Sequence, residues 1–136
     1  MDEERFEEVE HTADIAIRVW GKTLGELFAH AAYGMACQLT DVDDVDLTTE
    51  VEIDLQADDV EMLLVDWLSE LLYLGEREDA VFVDFDISRA TPRALRAVAR
   101  GGHIREHEAH VKAVTFSQLD VKWVGGRYET IIVFDV

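Results

Sequence analysis

The chain has 136 residues, 49 % of them hydrophobic, which suits one domain with a real core. Thirty acidic residues against twelve basic ones give a net charge of −18, a surface that repels nucleic acid in ordinary salt. No apolar run reaches about 18 residues, so no membrane span is expected, and the lone cysteine, Cys37, excludes an internal disulfide.

Residues 1–10 are mostly Glu and Asp, unlike a signal peptide, and a cytoplasmic location is expected. Only Lys22, Lys112 and Lys122 are lysines; the other nine basic residues are Arg. Acid spread through the chain with little Lys points to adaptation to high salt. Charge repulsion is screened there, with a Debye length of about 3 Å at 1 M. That weakens the argument against RNA, because the acidity is then global.

Residues 13–20 alternate, with Ala13, Ile15, Ile17 and Val19 on one face, and predict a strand that Gly21 ends. Thr23 and Glu26 form a capping box. Leu24, Leu27, Phe28, Ala31 and Met35 then recur at helical spacing, so a helix is predicted over about 24–38. Cys37 falls in it as a small buried hydrophobe. Residues 40–47 read as an acidic loop. Thr49, Val51, Ile53 and Leu55 alternate with Glu50, Glu52 and Asp54, a strand with one wet face. Asp58 and Glu61 read as a second capping box, before a helix apolar nearly all round that Gly75 stops.

Val81, Val83, Phe85 and Ile87 predict another strand; residues 94–100 predict a weaker one after a turn at Thr91-Pro92-Arg93. Residues 101–109 read as a loop. Segments 110–123 and 127–135 flank Gly125-Gly126 as a hairpin. The order is strand, helix, strand, helix, then four strands. It predicts a single α+β domain over residues 1–136, two helices packed on a largely antiparallel sheet system.

Asp14 sits where that first strand begins, although Asp is a poor strand former. It is either a strand-start residue bonded to a nearby turn, or a hard oxygen ligand or general base. The ending "TIIVFDV" bears on the choice. It reads as a central or covered strand running into Asp135 and the carboxylate of Val136. Two negative groups there repel unless a cation joins them or water bathes them. Lys112, on a face with Val114 and Phe116, is a candidate cationic partner. His103, His107 and His110 are spaced by four and three, a weak zinc pattern with no cysteine nearby. His30 reads as a helix-face residue. "TDVDDVD" at 40–46 lacks the Gly and the final Glu of a calcium loop and reads as a solvated acidic loop. There is no phosphate-binding Gly loop, nucleophile elbow or paired aromatic stripe for bases.

"EHTADIAIRVWGKTLGELFAHAAYGM", "LTDV", "LLVDWLSELLYL", "HVKAVTF" and the ending "VFDV", in this order over almost the whole chain, resemble the archease family. The most specific parts are His-Thr-Ala-Asp at 11–14, Lys-Ala-Val-Thr at 112–115 and the hydrophobic-Asp-Val end. Phe116 followed by Ser117-Gln118 departs from the family's usual Tyr and frequent His. His110 stands where an acidic residue is common, and the preceding loop looks shorter.

The resemblance implies a small protein activator, not an enzyme. Archeases promote guanylylation and turnover of the RtcB-type RNA ligase, which rejoins tRNA halves, and can broaden its nucleotide use. It also implies a metal site at Asp14, Asp135 and Val136, with His11, Asp41 and Lys112 as further activation-site residues. An oxygen-only donor set favours Ca²⁺, Mg²⁺ or Mn²⁺ over zinc. The implied partner is the ligase, with RNA touched only through it. With the charge pattern, the resemblance implies a salt-adapted archaeal source. Two alternatives stay open: a metal-dependent phosphoesterase using Asp14 and Asp135, and a chaperone-like partner of a tRNA-modifying methyltransferase.

Overall fold

Two antiparallel sheets and two helices make up the computed structural model, which describes residues 5–9, 14–104 and 110–136. In chain order the elements are β1 (Phe6–Val9), β2 (Ile15–Gly21), α1 (Leu24–Leu39), β3 (Thr49–Gln56), α2 (Val60–Glu78), β4 (Val81–Ala90), β5 (Ala94–Gly102), β6 (Ala113–Thr115), β7 (Lys122–Val124) and β8 (Arg127–Asp135). A 3-10 turn, Val42–Asp44, links α1 to β3. The fold is α+β, in the element order the alternation predicts. The structure adds β1 ahead of it and divides segment 110–123 into β6 and β7.

The larger sheet runs β1-β2-β8-β6, with β7 also on β8; the smaller runs β3-β5-β4. β2 fills one edge of β8 over residues 128–134, so β6 and β7 share the other edge, at opposite ends. The chain between them has to leave the sheet. It is held where the Val121 N–H donates to Glu61 Oε2 at 2.8 Å and the Asp120 N–H to Thr130 Oγ1 at 3.2 Å.

One core draws side chains from both sheets and both helices. Phe28, Trp67 and Phe134 are fully buried in it, each contributing roughly 1.5–3 kcal/mol. The Trp67 indole N–H donates to the Phe28 carbonyl at 2.9 Å, tying α2 to α1, and its ring meets Phe85 edge-on. No described helix is long and apolar enough to cross a membrane.

Local expectations resolve in physical terms. Thr23 caps α1, its Oγ1 accepting the Glu26 N–H at 3.1 Å. For α2 the cap is Asp59, one residue later than the sequence suggests, accepting the Met62 N–H at 2.8 Å; Glu61 instead anchors Val121. Gly75 does not stop α2, which runs to Glu78 and closes at Asp79 in the left-handed conformation (φ 52°). The Ala80 N–H bonds the Gly75 carbonyl at 2.8 Å and the Asp79 N–H that of Glu76 at 3.4 Å, a Schellman closure without glycine. Gly75 serves close packing: a Cβ there would lie 2.7 Å from the Ala80 oxygen.

The weak strand of the sequence, β5, is the central strand of the smaller sheet. Its small residues are needed for approach, since a Cβ on Gly101 would lie 2.0 Å from the Val81 oxygen. Its Arg residues hold the wet face. Arg100 bridges Glu50 at 2.9 Å and Asp84 at 3.1 Å, and Arg96 meets Asp54 at 3.1 Å. Cys37 is only half-buried. Burial pushes its thiol pKa up, partly offset by a hydrogen bond with Tyr33, whose own hydroxyl is raised by burial and by the thiol.

Candidate functional site

β2 and β8 are antiparallel, with Ile15 opposite Phe134. Carried one residue further, that register sets Asp14, in the bend before β2, beside Asp135, the last residue of β8. The inner residues of this pair of strands, Ile17, Val19, Thr130, Ile132 and Phe134, are buried. By alternation both aspartates share the opposite face. Residues far apart in sequence are thus brought to one end of the sheet, because β8 is central and both its neighbours begin there. Asp14 is half-buried, and Asp135 and Val136 are exposed.

Lys112 reaches this end from the other side. Its backbone N–H donates to the Asp135 carbonyl at 2.7 Å. Ala113 pairs with Asp135, so the register aligns Lys112 with Val136 rather than with the aspartates. Asp41 is part of its own turn: its carboxylate accepts the Asp43 N–H at 3.1 Å and caps the 3-10 segment. His11 lies outside the described residues, and so does His107 of the histidine trio. His103 is used elsewhere, its Nδ1–H donating to the Asp79 carbonyl at 2.7 Å beyond α2. His110 borders an apolar hollow between the ends of α1 and α2. His30 is a helix-face residue whose Nδ1–H donates to the Trp20 carbonyl at 2.7 Å, pinning α1 to β2.

The donor set at the strand ends is all oxygen, which suits a hard divalent cation. Among the described residues no three His, Cys, Asp or Glu side chains converge as metal ligands. Two carboxylates are fewer ligands than such a cation takes.

The model of the Archease protein family (MTH1598/TM1083) matches residues 6–136. The chain belongs to the archease family. It is 37 % identical to the archease of Methanosarcina mazei over 140 residues, covering 97 % of this chain and 96 % of that one. The Methanopyrus kandleri archease is also 37 % identical, over 138 residues, covering 96 % and 99 %. The solution structure of Methanobacterium thermoautotrophicum protein 1598 superposes with a TM-score of 0.80 at 30 % identity, covering 96 % of this chain and 98 % of that one. The crystal structure of an archease and possible chaperone from Thermotoga maritima shares the fold, with a TM-score of 0.70 at 24 % identity over 99 % and 100 %.

Besides Arg77 over Tyr73 at 6.0 Å within α2, two long-range arginine–aromatic stacks escape the sequence reading of this archease. Arg127 lies over the Trp20 ring at 4.7 Å and Arg5 over Tyr33 at 4.0 Å. Each pairs residues far apart in the chain. Only the turn residues Gly125-Gly126, which return β8 past β2, hint that Arg127 could meet Trp20.

Proposed function

We propose that this archease activates an RtcB-type RNA ligase by promoting guanylylation of the ligase's active-site histidine and restoring its turnover. Membership of the family supports the reading. The observation that carries it is the register that sets Asp14 beside Asp135. The two carboxylates, with main-chain oxygen of Val136, hold a divalent cation, Ca²⁺, Mg²⁺ or Mn²⁺. Such an ion, when bound, supplies positive charge against nucleotide phosphates. The chain's own residues position: β6 and β2 grip both edges of β8, fixing Asp135, while Lys112 adds a compact cation at the Val136 side. The family resemblance adds His11 and Asp41 as activation-site residues. The protein acts on the ligase and catalyses nothing itself.

Asp14→Asn and Asp135→Asn fold as the parent does and lose stimulation of guanylylation, read as radiolabel transferred from GTP to the ligase. Full stimulation by both variants refutes the site. A second reading is a chaperone-like role, the words used of the Thermotoga maritima protein being possible chaperone, with a tRNA-modifying methyltransferase as the partner. Capture from a high-salt lysate separates the two: ligase under the first, methyltransferase under the second.

A further inference from the structure

Acidic residues outnumber basic ones 30 to 12 in this chain, yet one groove reverses the ratio. Two hollows, about 320 and 220 Å³, adjoin at His30 beside α1. Arg5, Lys22 and Arg127 line them against Glu26 and Asp84, and Arg127 is also held by Glu129 at 2.7 Å. Of those carboxylates, Asp84 is already bonded by Arg100 at 3.1 Å. Each hollow also holds one of the two stacks, Arg127 on Trp20 and Arg5 on Tyr33. His30 fixes the Trp20 backbone from the middle, Nδ1 to carbonyl at 2.7 Å. The Gly125-Gly126 turn, at φ 60° and 83°, bounds the first hollow with nothing within 4 Å of where a Cβ would stand.

A ring with a fixed cation, repeated in two neighbouring hollows, matches a ligand that repeats a flat base and a phosphate. Single-stranded nucleic acid is bound by this pairing of stacking surface and positive groove. An acidic peptide would satisfy the cations but not the repeated rings. A duplex keeps its bases stacked on one another. In high salt the Coulomb part fades and the stacking part remains.

We propose that the groove formed by Arg5, Trp20, Lys22, His30, Tyr33 and Arg127 binds single-stranded RNA directly. The strand lies along α1, its bases against Trp20 and Tyr33 and its phosphates on Lys22, Arg127 and Arg5. The groove runs beside the α1 face and the hairpin turn, whereas the carboxylate site lies at the end of β2 where that strand begins. One face can therefore hold RNA while the other meets a protein.

The test is fluorescence anisotropy of a labelled single-stranded RNA titrated with the full chain, without ligase, at a salt where circular dichroism shows it folded. A hairpin duplex RNA and a labelled poly-glutamate peptide run beside it. The single strand binds in preference to both. Lys22→Glu and Arg127→Ala each weaken it about tenfold. Arg93→Glu, which changes net charge as much as Lys22→Glu but lies in the β4–β5 turn, leaves binding unchanged. Circular dichroism of each variant separates lost binding from lost folding. No binding up to about 100 μM protein, an equal loss in Arg93→Glu, or preference for the peptide overturns the proposal. Because no ligase is present, the result stands or falls apart from ligase activation.

Discussion

Trp67→Phe removes a side-chain hydrogen bond that ties α2 to α1 within the core. Trp67 is fully buried, and its indole N–H reaches the Phe28 carbonyl at 2.9 Å. Helical geometry also gives that carbonyl the N–H of Ala32, so the substitution leaves no orphaned acceptor. The loss is then one hydrogen bond, about 1 kcal/mol, plus the shrinkage of a fully enclosed ring, about 1–2 kcal/mol. The edge contact to Phe85 is weakened within the same range. For 136 residues at about 2.1 cal/mol/K each, the unfolding entropy is about 0.29 kcal/mol/K. A loss of about 2.5 kcal/mol therefore lowers Tm by about 9 °C. Calorimetry at fixed salt measures the shift, and urea unfolding should give the same m-value with a lower midpoint. A drop under about 2 °C would refute the role given to this residue in joining the two helices.

Asp79→Gly should stabilise the protein by about 0.5–1 kcal/mol, or 2–3 °C, because φ 52° at the end of α2 costs a residue with a Cβ; an unchanged or lower Tm counts against that closure. The Cys37 thiol has its pKa raised mainly by burial, so the folded chain keeps a proton that the unfolded chain releases. Its stabilising share is whole below the ordinary thiol range and is lost as pH climbs from about 8.5 toward the folded value. Tyr33, also raised, adds a decline of the same sign at higher pH. Cys37→Ala should flatten the first part of that decline in urea midpoints measured against pH; an unchanged slope refutes it.

The parts of this fold legible in the sequence are those set by neighbours a few residues apart. The Thr23 cap and the alternation of β3 come through because capping and amphipathic faces are local. The α2 cap slipped by one because Asp58 and Asp59 are chemically equal, and only Glu61 being drawn off to Val121 breaks the tie. Gly75 looked like a stop because a glycine needed for close approach and one needed for a turn have the same letter. β5 looked weak because Ala97, Ala99, Gly101 and Gly102 lack side-chain bulk, yet that is what a central strand pressed by Val81 and Asp46 requires. β1 is short and acidic, with the Arg18 guanidinium paired to Glu7 across the strands, so its partner is visible only in three dimensions.

The candidate site divides the same way. Asp14 and Asp135 stood out as acids at the ends of apolar runs, and the β2–β8 register explains both. Lys112 stood out by rarity, but its alignment with Val136 follows from β6, which the sequence merged into a longer strand. The groove of Arg5, Trp20 and Arg127 left no local trace, because its residues come from three separate strand ends.

The most direct measurement is guanylylation of an RtcB-type ligase with GTP and Mn²⁺ in high potassium, with and without this archease. The account predicts faster labelling of the ligase histidine and repeated turnover with the parent chain, and neither with Asp14→Asn or Asp135→Asn. A ligase that is labelled and turns over equally well without the archease would contradict it.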